Sequence, residues 1–179
     1  FIQHVLTSLN SSGRGVVVVS PGVLFSSGSD KKLRARLIES NVVKTIIQLP
    51  AGLVYGSNIS SAILILETGR KENDCLIQFI DASNEYSVKS RQHTLSDTNI
   101  SNIVSWFGSA IAEDGKVAFK SIEEIRKSDF DLTVSRYTFE NKTLEHRAIV
   151  DIRSEQSVLN SELERLQIEM EKMLKDIGY

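Results

Sequence analysis

Two apolar segments joined by a short polar loop place the strongest constraint on the fold of this 179-residue chain. The segments Val42–Leu49 and Ala62–Glu67 have the β-branched and aliphatic composition of buried strands. About seven polar residues separate Val54 from Ala62, whereas a parallel crossover connection needs about a dozen or more. The two strands are therefore predicted to be antiparallel neighbours in one sheet.

Two further apolar runs extend this predicted sheet. Gly15–Ser20 is a continuous β-branched run, which is typical of a strand buried on both faces, and Cys75–Asp81 is a fourth strand. Helical periodicity indicates one helix at the start of the chain and another over Asp30–Ser40. Ser29 or Asp30 is predicted to cap the second helix. The fold class is therefore α/β.

The rest of the chain divides into a mixed stretch and a long helix. Residues 88–140 alternate short extended and helical pieces, and over 141–179 apolar residues recur every three or four positions, as in a coiled-coil seam. A single helix with one apolar stripe is seldom stable unless that stripe packs against a partner, in the same chain or in another. The seam residues expected to dock on that partner are Leu159, Leu163, Leu166, Met170, Met173 and Ile177. The predicted divisions are 1–87, 88–140 and 141–179.

Composition excludes several classes of protein. The formal net charge of -2 argues against a general polyanion binder, and a single cysteine, Cys75, cannot form an intrachain disulfide. No apolar run approaches the roughly 20 residues that span a bilayer, so we expect no membrane association. His4, His93 and His146 do not have the spacing of a metal site. The first residues read like the middle of a helix, and we expect the chain to be a piece of a longer protein.

Three local features have both a structural and a functional interpretation. Gly13-Arg14-Gly15 resembles half of a dinucleotide fingerprint, but it precedes a strand instead of following one, which favours a simple turn. The helix with Lys31, Lys32, Arg34 and Arg36 is basic, and a solvated face is favoured over a phosphate contact. Asp81 ends a strand, where capping of the next turn is favoured over catalysis.

Tyr55 is the one aromatic residue in the loop between the two paired strands. On composition alone it is either a partly buried loop aromatic or a ring presented at the rim of an α/β sheet, where ligands collect. A ring at that rim can stack on a base. The choice between these interpretations depends on whether the side chain is buried.

Four segments of the sequence resemble a known family. They are GRGVVVVSPGVLFSSG, VVKTIIQLPAGLVYGSNISSAILIL, CLIQFIDASNEY and EEIRKSDFDLTVSRY. Together they resemble the C-terminal portion of the adenine-N6 DNA methyltransferase (modification) subunit of type I restriction-modification systems. The resemblance implies the second half of a Rossmann-like class I methyltransferase sheet, in which antiparallel strand seven lies between strands five and six, followed by a helical extension.

The resemblance also implies which residues contribute to the site. The chain has two prolines, Pro21 and Pro50, and they are not adjacent, so the family's Pro-Pro acceptor motif is not in this sequence. No catalytic residue is therefore assigned, and S-adenosylmethionine is expected to bind mainly to the missing N-terminal half. In related enzymes the loop between strands six and seven offers an aromatic ring to the flipped-out adenine. Tyr55 has the matching position, and the pocket loop residues are Gly52, Val54, Gly56 and Asn58.

The implied partners follow from the same family. They are DNA, the DNA-specificity subunit, the restriction subunit and a second copy of the methyltransferase subunit, all in the cytoplasm. The fragment alone is expected to be inactive. Two alternatives remain at this stage: a non-enzymatic α/β interaction module with a dimerising coiled coil, and a relative that methylates RNA or protein.

Overall fold

A computed structural model describes residues 1–71, 75–89, 92–139, 156, 159–163, 165–167, 170 and 173. The strands within these residues are β1 (Arg14–Val19), β2 (Val43–Gln48), β3 (Ala62–Glu67), β4 (Leu76–Asp81), β5 (Ser87–Lys89), β6 (Gln92–Thr94) and β7 (Val117–Ser121). The helices are α1 (Ile2–Ser8), α2 (Gly22–Phe25), α3 (Ser29–Glu39), α4 (Asp97–Gly108), α5 (Ile122–Lys127) and α6 (Ser135–Thr138). The chain forms two compact units, Phe1–Glu140 and Asn141–Tyr179.

The main sheet of the described residues has the strand order β1-β3-β2-β4-β7. Strand β3 is antiparallel to both β1 and β2, so the predicted antiparallel pair is confirmed. Strand β4 is parallel to β2, and β7 is antiparallel to β4. Because β1 and β2 are both antiparallel to β3, strands β1, β2 and β4 all run in one direction. Their carboxyl ends therefore lie at the same edge of the sheet.

Alternate residues of the central strands supply two apolar cores, one on each face of the sheet. On β3, Leu64 and Leu66 belong to the core that also holds residues of α1, α3 and α5. Ile65 belongs to the opposite core, which includes Ile103 of α4. Helix α4 begins with a capping box, in which the Ser96 hydroxyl accepts a hydrogen bond from the backbone N–H of Asn99.

Strand β1 is less buried than its composition predicts. Val16 is 61% exposed and Val18 is 64% exposed, so the expectation of burial on both faces is wrong for the part of the chain that the structure describes. The physical reason is position: β1 lies at an edge of this sheet, where α4 does not cover its second face. Val19, at the end of the strand, is buried in the first core.

Helix α3 begins differently from the prediction. Its N-cap is Gly28, at a φ of +74°, and neither Ser29 nor Asp30 makes a side-chain capping hydrogen bond. A glycine is favoured there because a side chain is strained at positive φ. The solvated-face interpretation of this basic helix is wrong for Arg34, which is 3% exposed. In the same helix, the Lys31 ammonium group forms a salt bridge with the Asp129 carboxylate at 2.5 Å.

Residues after the β5–β6 pair complete the same sheet. Strand β7 pairs with β4, and α5 begins with a capping box between Ser121 and Glu124. Farther along, the ring of Tyr137 lies 4.3 Å from that of Phe79, and its hydroxyl donates to the Asp131 carbonyl oxygen at 2.5 Å. Burial raises the pKa of Tyr137. These contacts fasten the chain beyond β7 to the first core.

In the second unit, the described residues are helical. The seam residues Leu159, Leu163, Leu166, Met170 and Met173 are each between 54% and 59% exposed. Ile177, also predicted to belong to the seam, lies outside the described residues. Among the helices described, none has the length and apolar content needed to cross a bilayer.

Candidate functional site

The loop between β2 and β3 leaves the sheet at the edge where the parallel strands end. At that edge Gln48 of β2 lies beside Asp81, the last residue of β4. The Gln48 side-chain amide donates to the Ser61 carbonyl oxygen at 3.3 Å, and the Leu49 N–H donates to the same carbonyl at 2.9 Å. These bonds close the base of the loop. In α/β sheets this is the edge at which ligands bind.

The loop presents Tyr55 to solvent. Leu53 packs against the core that includes Ile103 of α4. The next two side chains face solvent: Val54 is 54% exposed and Tyr55 is 89% exposed. The Ser57 N–H donates to the Val54 carbonyl oxygen at 3.0 Å, and Gly56 follows Tyr55 at a φ of +74°. A turn therefore holds the ring at the tip of the loop, and the interpretation as a partly buried aromatic is wrong.

A cavity of about 470 Å³ lies beside this tip. Its lining includes every residue that the sequence assigned to the pocket loop, together with two residues of β6. The lining residues are Ala51, Gly52, Val54, Tyr55, Gly56, Ser57, Asn58, Gln92 and His93. Gln92 and His93 could not be assigned to this pocket from the sequence, because a strand of three residues has too little periodicity to be placed.

The segment that follows β4 has a structural role. The Asp81 carboxylate accepts a hydrogen bond from the Ser83 N–H at 2.9 Å, which confirms the capping interpretation. Farther along, the Glu85 carboxylate accepts from the side-chain amides of Asn99 and Asn102, at 3.0 and 3.1 Å. The segment is thereby tied to α4.

The remaining candidate groups supply no further chemistry. In the described part of the chain, no three His, Cys, Asp or Glu side chains come together as a metal site would require. The Gly13 N–H donates to the Asn10 carbonyl oxygen at 3.2 Å and so closes a turn before β1, in which Gly15 lies, so the turn interpretation is confirmed for Gly13. A Cβ on Gly15 would lie 2.8 Å from the Val5 side chain, so this glycine makes room for α1.

The chain resembles known proteins in sequence. A family model described as N-6 DNA Methylase matches residues 1–146. The chain is 33% identical over 180 residues to the type I restriction enzyme MpnII methylase subunit of Mycoplasma pneumoniae, a match that covers 99% of this chain and 32% of that protein. It spans less than a third of the length of this and similar curated relatives.

Solved structures have the same fold. The methyltransferase subunit of the type I restriction-modification system of Streptococcus thermophilus superposes with a TM-score of 0.73 and 29% identity, over 76% of this chain and 29% of that one. A chain from a study of complex assembly and conformational transition of the type I system superposes with a TM-score of 0.65 and 18% identity. That match covers 98% of this chain and 39% of the other. The mixed α/β architecture is therefore shared with type I methyltransferase subunits.

Proposed function

This chain belongs to the N-6 DNA methylase family, and we propose that it is the C-terminal part of a type I DNA methyltransferase subunit. The whole subunit transfers a methyl group from S-adenosylmethionine to N6 of adenine. Within it, β1, β2 and β3 are strands five, six and seven of a Rossmann-like class I sheet. Residues 1–87 belong to the catalytic domain, 88–140 to a mixed extension and 141–179 to a docking helix.

The observation that carries the proposal is the exposed ring at the carboxyl edge of the sheet. An adenine that leaves the DNA stack loses a few kcal/mol of stacking and pairing. An aromatic ring restores roughly 1–3 kcal/mol by stacking on the base. Tyr55 is 89% exposed and lies beside a cavity of about 470 Å³. The glycines at 52 and 56 let the backbone approach the nucleotide closely.

The described residues do not by themselves fit the methyl donor. A nucleotide cofactor of this fold class binds where a glycine-rich turn follows a strand and opens a helix. Gly13 precedes β1, and the space at Gly15 is filled by α1. We therefore assign S-adenosylmethionine and the acceptor motif to the rest of the longer subunit, and we expect this chain alone to be inactive.

Partners are proposed from the same family. The chain is similar to methylase subunits of type I enzymes and to a chain from a study of assembly of that system. We propose DNA, a DNA-specificity subunit, a restriction subunit and a second methyltransferase copy as partners. The specificity subunit would cover the apolar stripe from Leu159 to Met173. A non-enzymatic interaction module is not favoured, because the family match extends over residues 1–146.

Replacement of Tyr55 tests the proposed function. In the complete subunit assembled with its specificity partner, we expect Tyr55→Ala to lower kcat/KM for DNA methylation by about 5- to 150-fold, since stacking contributes roughly 1–3 kcal/mol. Tyr55→Phe keeps the ring and should retain most of the activity. Because the side chain is 89% exposed, thermal stability should be unchanged in both variants.

The assay is transfer of labelled methyl groups to a duplex that contains the recognition site. Wild-type kcat/KM in Tyr55→Ala would remove Tyr55 from the mechanism. A loss in Tyr55→Phe as large as in Tyr55→Ala would show that the hydroxyl group acts, and not the ring face.

A further inference from the structure

A histidine from another part of the chain holds the loop that presents Tyr55. His93 lies on β6, and its Nδ1 is 2.6 Å from the Ala51 carbonyl oxygen, across 42 positions of sequence. A carbonyl oxygen can only accept, so Nδ1 carries the proton and donates it. This hydrogen bond fastens the first residues of the loop to the β5–β6 pair.

Gly52 provides the space for this contact. It has a φ of +75°, and a Cβ built on it would lie 3.4 Å from His93 Nδ1. A larger residue would be strained at that φ and would crowd the imidazole. The loop backbone and the His93 ring are therefore in close contact at this point.

The His93 ring also makes an aromatic stacking contact. The rings of Tyr86 and His93 are stacked, with centroids 4.0 Å apart and an interplanar angle of 19°. Tyr86 itself follows Glu85, whose carboxylate is held by two asparagines of α4. A continuous series of contacts thus runs from α4 to the loop that carries Tyr55.

His93 also lines the cavity beside Tyr55, with its neighbour Gln92. We propose that His93 is a positioning residue for the target base: its Nδ1–H fixes the Ala51 carbonyl and so holds the Tyr55 loop and the opposite cavity wall in place. This inference rests on the proposed function, because it assigns the second wall of the same pocket.

Three substitutions of His93 distinguish loss of the hydrogen bond to Ala51 from loss of side-chain volume. The Asn amide nitrogen can take the place of Nδ1, so His93→Asn keeps a donor for Ala51. His93→Gln places its amide near the position of Nε2, and His93→Ala has no donor. We expect His93→Gln and His93→Ala to lower kcat/KM about tenfold, and His93→Asn to recover most of that loss. His4→Ala, an exposed histidine on α1, is the control.

The direct readout is fluorescence of 2-aminopurine placed at the target adenine, with the complete subunit and its specificity partner bound. Extrusion and stacking of the base change this fluorescence. If His93 contributed only to folding stability, the folded fraction of each variant would give the same fluorescence as the wild type. We expect the signal of His93→Gln and His93→Ala to differ from wild type, with His93→Asn close to wild type. Thermal unfolding is measured in parallel.

Two results would overturn the inference. In the first, all three His93 variants have the fluorescence and kcat/KM of the wild type while Tyr55→Ala loses activity. The proposed function would then stand without the positioning role. The other is an equal loss in all three variants that follows their loss of folded protein. If Tyr55→Ala has the kcat/KM of the wild type, the proposed role of Tyr55 is refuted, and the positioning role of His93 is refuted with it.

Discussion

Arg34→Ala is expected to destabilise the packing between α3 and residues 129–134 by about 3 kcal/mol, because it leaves two partly buried carbonyl groups without this donor and opens a cavity. Arg34 is 3% exposed. Its Nε donates to the Phe130 carbonyl oxygen at 2.8 Å, and its Nη1 donates to the Val23 carbonyl oxygen at 2.9 Å. One side chain therefore joins α2, α3 and the segment after α5.

The segment that Arg34 contacts includes two residues in a strained backbone conformation. Asp129 and Phe130 both have positive φ values, of 59° and 58°, and such a backbone costs free energy in non-glycine residues. Burial lowers the pKa of Arg34, while the carboxylates of Asp131, Asp30 and Asp129 oppose that shift. Loss of the guanidinium therefore removes both its hydrogen bonds and its attraction to these carboxylates.

Hydrogen exchange in the complete subunit measures this effect locally. The Leu132 N–H donates to the Leu24 carbonyl oxygen at 2.9 Å and reports opening of the contact. We expect exchange at Leu132 to be about 150-fold faster in Arg34→Ala, the factor that corresponds to about 3 kcal/mol. Arg36→Ala, an exposed arginine of the same helix, should change stability by less than about 0.5 kcal/mol. Equal exchange in the two variants would contradict the role of Arg34.

The second large effect is expected in the helix that we propose to dock on the specificity subunit. Leu163→Asp combined with Met170→Asp should weaken assembly with the specificity subunit at least about 100-fold, since each buried aliphatic side chain contributes roughly 1.5–3 kcal/mol. Leu163 and Met170 are both 56% exposed. With Leu159 and Leu166 they line a shallow groove of about 390 Å³. An apolar stripe of this kind is typical of a helix that packs on a partner.

Arg165→Asp is the matched control, because it changes the net charge by the same two units at a described helical position outside that groove. Size-exclusion chromatography with the specificity subunit measures assembly. Retention of the complex by the double variant would refute docking through this stripe. Loss of self-association by the double variant, with binding of the specificity subunit unchanged, would instead support a dimerising coiled coil.

Local features of this chain could be predicted because neighbouring residues encode them. The bounds Ala62–Glu67 for β3 follow from an apolar run with polar ends, and the antiparallel pairing follows from a loop too short for a crossover. The Ser96 cap and the Asp81 turn each depend on a side chain that bonds to the backbone two or three residues away. Position alone also marked Tyr55 as the loop residue to examine.

Features that depend on distant contacts could not be predicted in this way. Arg34 looked like part of a solvated basic face, because its acceptors at Val23 and Phe130 lie 11 and 96 positions away. Strand β7 gave no clear signal on its own and is fixed by pairing with β4. The exposed face of β1 likewise depends on which elements lie beside it.

The sequence by itself determined strands β1 to β4, the antiparallel connection and the family resemblance, since these depend on composition, periodicity and short spacings. Only the tertiary structure decided that Tyr55 stands 89% exposed beside a cavity, and that His93 contacts the Ala51 carbonyl of its loop. Exposure and contact across 42 positions result from how the whole sheet packs, because burial is a property of all the surrounding elements.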